Sequence, residues 1–213
     1  MVVPAEAPKN CLLCPRLVDY RNACQEKEPT WFNSPVPSFG DENADLLIVG
    51  LAPGVKGANR TGRPFTGDYA GDLLYPTLVR FGFAEGDYAA QVDDGLTLHN
   101  CMITNAVRCV PPQNKPTGAE IGNCRPFLVS RLQNLRNLKL ILALGRIAHD
   151  SLLTTFGKRK VLHKFAHGAL HMFEDQPALI DSYHCSRYNT NTGRLTEEMF
   201  FDVFEKISDF LKR

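Results

Sequence analysis

The chain has 213 residues, enough for one good hydrophobic core and somewhat long for two. Hydrophobic residues make up 44% and charged residues 22%, which excludes a disordered chain, and no apolar run approaches the roughly 20 residues of a membrane-spanning helix. A net charge of +1 excludes a histone-like binder but not a neutral protein with one basic face on nucleic acid.

Met1–Asn10 has neither a basic flank nor an apolar stretch, so it does not read as a secretory signal, and a cytoplasmic location is expected. Seven cysteines in such a chain are not expected to form a disulfide framework; they are buried small hydrophobes or metal ligands. Cys11-Leu12-Leu13-Cys14-Pro15 comes first: a pair two residues apart can reach one metal from a single turn, although alone it is a weak signal. Ala44–Gly50 then reads as a buried strand, rich in Leu, Ile and Val. After it, Gly50–Asp68 holds a run of glycines, so its backbone must approach something closely, yet it matches neither GxxxxGK[ST] nor GxGxxG. Phe65 and Asp68 at its far end suit a flat ring stacked on an aromatic with a charge nearby; the plainer alternatives are a core Phe and an Asp that caps the next helix.

That helix is expected over Tyr69–Phe81, followed by a strand over His99–Val107 in which Cys101 is core. Asn105 stands near its end, as a binding group or a partner for strand-end backbone. Arg108-Cys109-Val110-Pro111-Pro112 follows, and a capping-box pattern opens a helix over Thr117–Asn137 that contains Asn123-Cys124-Arg125-Pro126. Cys11, Cys14, Cys109 and Cys124 are read at loop or helix starts. Four thiolates hold zinc or an iron–sulfur cluster, and one close pair plus two lone cysteines weighs toward a cubane cluster; two ordinary buried thiols is the alternative. A strand over Lys139–Leu144, a helix over Gly145–Phe156, a strand over Ala178–His184 and a helix over Thr196–Leu211 complete the chain. His99, His149, His163, His167 and His171 match no motif and read as structural or surface residues.

Alternating strands and helices predict an α/β three-layer sandwich: a mainly parallel four-stranded sheet flanked by helices, in one domain over residues 1–213. Ligands of such sheets bind at the carboxyl ends of the strands, where the oddest polar stretches fall: Leu51–Asp68, Arg108–Pro116 and His184–Arg194.

Gly50–Asp68, Ile103–Pro112 and His184-Cys185-Ser186-Arg187, followed by Asn191-Thr192-Gly193-Arg194-Leu195-Thr196, together resemble the uracil-DNA glycosylase superfamily, most of all its iron–sulfur-containing family 5 (type B). The likeness runs from Cys11 to about residue 205, and the three loops together are highly specific. It implies a [4Fe–4S] cluster, structural rather than redox-active, held by Cys11, Cys14, Cys109 and Cys124 in an N-terminal iron–sulfur segment. It implies excision of uracil and other deaminated bases from double- and single-stranded DNA, with no membrane partner and a monomeric state expected.

The related family 4 has Glu where this chain has Leu51, and Ala52-Pro53-Gly54 offers no acidic water-activating group. Family 5 shares this apolar stretch, which moves the candidate carboxylate to Asp68. The His of a superfamily variant that traps uracil covalently is missing from Gly54–Thr61. Cys185 stands where the family usually has Pro.

A glycosylase must extrude its nucleotide, and a mismatched uracil costs less to extrude. The flipped ring would stack on Phe65 against Ala52 and Gly54, and Asn105 would bond its polar edge. His184 would donate to the carbonyl oxygen on which negative charge grows, and Asp68 would oppose the positive sugar or orient water. Arg187, Tyr188 and Arg194, basic and aromatic on one loop, suit insertion into a DNA groove. A competing class, motivated by the missing carboxylate, is a non-catalytic damaged-DNA-binding module of the same fold; it would bind a uracil oligonucleotide and leave no alkali-sensitive site.

Overall fold

A computed structural model describes residues 3–212. The chain opens with α1 (Pro15–Lys27), β1 (Phe39–Gly40), β2 (Leu46–Gly50) and a single helical turn, α2 (Ala58–Thr61). Next come α3 (Tyr69–Arg80), a small ribbon of β3 (Ala84–Glu85) and β4 (Thr97–Leu98), then β5 (Cys101–Asn105). After a 3-10 turn at Pro112–Asn114, the chain forms α4 (Gly118–Asn134), β6 (Leu140–Leu144) and α5 (Arg146–Thr155). It ends with β7 (Leu170–His171), β8 (Ala178–Ser182), the short α6 (Arg187–Asn191) and α7 (Glu197–Leu211).

The main sheet has the order β1-β5-β2-β6-β8-β7. Its four central strands are parallel, with register pairs such as Gly50 with Asn105 and Leu142 with Ile180. The sheet therefore has six strands rather than the expected four, because antiparallel β1 and β7 close its edges. Each edge strand is two residues long, too short to show any alternation in sequence.

All five residues of each central strand are buried, as a parallel sheet covered on both faces requires. Alternate side chains point to opposite faces. Leu46, Ile48, Ile103, Leu142 and Ile180 meet α3 and α7, whereas Leu47, Val49, Met102, Ile141 and Leu179 meet α4 and α5. Helix α7 supplies Phe200, Val203, Phe204 and Ile207, an i, i+3, i+4, i+7 stripe, and Thr196 caps it by accepting from the Met199 amide at 3.2 Å. The capping box at Thr117 is formed in both directions, with Glu120 closing it.

Two further features depart from the sequence reading. Cys124 lies inside α4 rather than at a helix start. Helix α1 has no expected counterpart because it buries only Leu17, Arg21 and Cys24, a stripe too thin to stand out of a polar segment; Pro15 at its first position sets where it begins. The segment ahead of α1 is clamped to the body by Glu6, which pairs with Arg108 at 3.1 Å and with Arg131. Burial alone would raise the Glu6 pKa, but Arg108, Ser38 and Arg131 outweigh it and hold the carboxyl below its usual value.

From β2 the chain crosses to β5 on one side and returns to β6 on the other, so the carboxyl end of β2 is a topological switch point. The segments after β2, β5 and β8 converge there.

Candidate active site

The pocket is built from the glycine-rich segment upward. Gly50 pairs with Asn105 across the sheet, and a Cβ at Gly50 would strike the Asn105 carboxamide and come within 2.6 Å of the Phe65 ring. Glycine here is what lets Asn105 and Phe65 close over the end of β2. Gly54 and Gly57 wrap the Asp68 side chain: a Cβ on Gly54 would sit 3.0 Å from Oδ2, and one on Gly57 2.8 Å from Cγ.

A buried scaffold stiffens the far end of the segment. Arg63, its guanidinium 5.2 Å from the centres of both the Phe39 and Tyr75 rings, pairs with Asp94 at 2.8 and 2.6 Å and donates to Thr66 Oγ1 at 2.7 Å. Tyr75 donates to the Pro64 carbonyl at 2.6 Å, and Tyr88 to the Phe65 carbonyl at 3.2 Å. Phe65 is thereby held at φ 54°, a left-handed conformation costly for an aromatic residue and of the kind stored at functional sites.

Phe65, Asp68, Asn105, His184, Ala52 and Gly54 line this one pocket, and Arg187 and Tyr188 stand at its wall. The Phe65 ring belongs to the core on one side and stacks on the His184 imidazole, centres 5.7 Å apart and planes 28° apart. The core reading of Phe65 therefore holds, and its ring also faces the pocket. Asp68 caps α3, its carboxylate accepting from the Ala70 amide at 3.2 Å, and it also faces the pocket. Burial pushes its pKa up, against the amides of Gly71 and Ala70 that lower it.

Asn105 is 3% exposed and lines the pocket, and its carboxamide makes no hydrogen bond among the described residues, so its donor and acceptor remain free for a ligand there. It does not serve the strand-end backbone. The ring of His184 likewise meets no protein donor or acceptor among them. His184 is half-buried, and the protein packed around it pushes its pKa down to about 4, so the ring is neutral at physiological pH and keeps one N–H to donate.

The end of β8 is shaped around that histidine. Asn189 donates from its carboxamide to the His184 carbonyl at 2.8 Å, and the Ser186 side chain caps α6. The segment expected as a plain loop thus contains a helical turn. Cys185 is fully buried in the core cluster that includes Phe65, filling its place as a small hydrophobe. Arg187 lies over the Tyr69 ring at 5.3 Å, and Tyr188 is 72% exposed. Arg194 is separated from the others: it stacks over Tyr183 at 4.8 Å and lines a neighbouring trough that shares His184 and Leu51 with the pocket.

Asn114 and Lys56 also line the pocket, and neither drew notice in the sequence. Gln113 and Asn114 are both left-handed, each with φ 56°. Two adjacent non-glycine residues in that conformation are a structural signal with no counterpart in composition or spacing.

The four expected cysteines line a second, mostly apolar cavity with Leu17, Val107 and Phe127. Donors point at three of their sulfurs: Arg21 Nη1 at 3.2 Å from Cys109, the Arg108 amide at 3.3 Å from Cys124, and Asn123 Nδ2 at 3.8 Å from Cys14. Arg21 is 5% exposed, and a guanidinium so buried needs a negative neighbour, which a thiolate set would provide. Apolar walls, N–H donors aimed at sulfur and two buried arginines, Arg21 and Arg108, suit four thiolates around a metal centre. Burial of the free thiols raises Cys109 to about 11 and Cys124 to about 12. From Asn105 at the end of β5 the chain runs on through Cys109 to Asn114, so the thiol cavity and the pocket share one stretch of backbone.

The sequence model of the family described as the Uracil DNA glycosylase superfamily matches residues 37–208. A protein of Thermus thermophilus named type-5 uracil-DNA glycosylase is 47% identical over 199 residues, covering 91% of this chain and 90% of the relative. A type-5 uracil-DNA glycosylase of Pyrobaculum aerophilum is 38% identical over 201 residues, covering 92% and 87%. A type-4 uracil-DNA glycosylase of the same organism is 35% identical over 155 residues, covering 72% and 65%.

Proposed function

Because the chain belongs to the uracil-DNA glycosylase superfamily, with its nearest likeness among those relatives to type-5 proteins, we propose that this pocket excises uracil and other deaminated bases from DNA by hydrolysis of the N-glycosidic bond. The protein is a DNA-repair glycosylase; the residue roles and the wider base range are our reading. The observation that carries them is the unpartnered Asn105 carboxamide facing the same pocket as the Phe65–His184 ring pair and Asp68.

The flipped base lies against Phe65 with its polar edge on Asn105. His184, neutral, donates its N–H to the carbonyl oxygen as the base departs with negative charge. Asp68, as a carboxylate, opposes the positive charge on the sugar and orients water. Ala52, Pro53 and Gly54 put no acidic group on the near wall, so the pocket rejects few bases, because strong rejection depends on leaving buried polar groups unpaired. Arg187, Tyr188 and Arg194 meet the DNA backbone and groove around the extruded nucleotide.

The thiol cavity fits a [4Fe–4S] cluster on Cys11, Cys14, Cys109 and Cys124. Such a cluster would supply a cross-link rather than redox chemistry, tying α1 and α4 to the backbone that presents Asn105 and Asn114. Oligonucleotides carrying uracil, hypoxanthine or xanthine, incubated with the protein and treated with alkali, test the function. Strand breakage is expected at uracil and at one or more of the other two. Tight binding without breakage at any of them would mark a damaged-DNA-binding module instead.

A further inference from the structure

Between Asp150 and Glu174 the chain has no acidic residue, and it packs four cations, Lys158, Arg159, Lys160 and Lys164, into seven positions around Val161 and Leu162. These two apolar side chains are 62% and 67% exposed, on a segment without regular secondary structure. Water-exposed apolar residues rimmed by cations are what a loop needs if it is to lie on a polyanion with an apolar groove.

The segment is held in place by a buried network. His149 is 1% exposed; its Nδ1 lies 2.7 Å from Asp181 Oδ1 and its Nε2 2.9 Å from the His163 carbonyl. A carboxylate and a carbonyl both accept, so both ring nitrogens of His149 are placed to donate, and although burial lowers its pKa, Asp181 with the His163 carbonyl raises it overall. Asp181 Oδ2 also accepts from the Ala166 amide at 3.3 Å and His171 Nε2 at 3.0 Å. The ligand-type atoms of these three side chains lie within 4.8 Å of one another, but they already fasten the loop to β8, in which Asp181 stands three positions before His184.

Three clefts run in series from the base pocket. The pocket shares Leu51 and His184 with the trough beside it, and that trough shares Arg146 and Phe165 with a third cleft walled by Lys160, Val161 and Lys164. The one carboxylate along the third cleft, Asp150, lies 3.9 Å from both Arg146 and Lys160. Arg159 and Lys164 have no ion-pair partner among the described residues.

We propose that this pinned basic loop is a second DNA contact. Lys160 and Lys164 hold phosphates of the duplex flanking the extruded nucleotide, and Val161 and Leu162 face the groove between them. The proposal rests on the glycosylase reading for its partner, and the commitment to duplex DNA rests on charge and on continuity with the pocket.

Equilibrium binding to an undamaged duplex of about 30 base pairs, followed across salt concentration, tests it. Each phosphate contact contributes about 0.9 to the slope of log K against log salt, so Lys160→Ala/Lys164→Ala is expected to flatten the slope by about 1.8 and Lys160→Arg/Lys164→Arg to restore it. A parental slope in the alanine pair would overturn the proposal. Lysine acetylation of the unmutated protein gives a check that needs no variant: Lys160 and Lys164 should be protected by the duplex, and equal labelling with and without DNA would overturn the contact. The probe is undamaged DNA, so a parental protein that failed to release uracil would strike the glycosylase reading and leave this result standing.

Discussion

His184 and Asp68 have opposite electrostatic problems. Burial lowers the imidazole to about 4 and raises the Asp68 carboxyl. At physiological pH the histidine is already neutral, so on the proposed roles an acid limb in the cleavage rate is expected from Asp68, which acts as a carboxylate. The single-turnover rate should fall as pH drops through that raised pKa, and Asp68→Asn should remove the limb along with much of the rate. The same variant separates catalysis from capping, since Asn caps a helix about as well as Asp and should leave the melting temperature in place. A limb that persists in Asp68→Asn would assign it to another group. His184→Ala should slow single-turnover cleavage by about a hundred- to a thousand-fold with binding to uncleavable DNA nearly intact, as for loss of one donor to an oxyanion. Parental cleavage in that variant would refute the role.

At the scale of elements, the pairing of β2 with β5 does more than extend the sheet. It brings Gly50 level with Asn105, and the space that Gly50 leaves open holds both the Asn105 carboxamide and the Phe65 ring. Gly50→Ala should cost about 1–3 kcal/mol through overpacking and lower the melting temperature by several degrees. It should also slow cleavage, because Asn105 and Phe65, which we propose to hold the base, would be displaced together. Gly122, within α4, is the contrasting case: nothing lies within 4 Å of a Cβ there. Gly122→Ala should stabilise by about 0.5–1 kcal/mol with no change in rate. Thermal melts and single-turnover rates on the two variants check the pair, and equal behaviour would mean that the β2–β5 closure does not position the site.

Across the whole molecule, segments distant in the chain meet at the thiol cavity: the stretch before α1, the backbone after β5, and α4. With a [4Fe–4S] cluster bound the protein should be brown, with broad absorbance near about 400 nm. Cys11→Ser and Cys124→Ser should lose both colour and thermal stability. Cys101→Ser should keep the colour, since Cys101 lies in β5 among core side chains away from that cavity. A colourless, air-stable protein with one equivalent of zinc would overturn the cluster.

The amino-acid sequence was enough for the four central strands, the four long helices after residue 68 and Phe65, Asp68, Asn105 and His184 as residues of one pocket, because each rests on local information. A five-residue apolar run, a Thr with Glu three positions on, and glycines beside an Asp carry their physical reasons within a few residues. The resemblance of three loops then joined what periodicity alone could not. The rest came from packing between distant segments. The two-residue edge strands exist because a neighbour offers hydrogen bonds, and α1 forms over a thin apolar stripe because the body covers it. Asn114 enters the pocket through a left-handed turn, Arg194 falls into the adjoining trough, and His149 finds Asp181 across 32 positions. Each of these depends on groups far apart in the chain and close in space, and burial, which sets the charge of His184 and Asp68, exists only once those groups have packed.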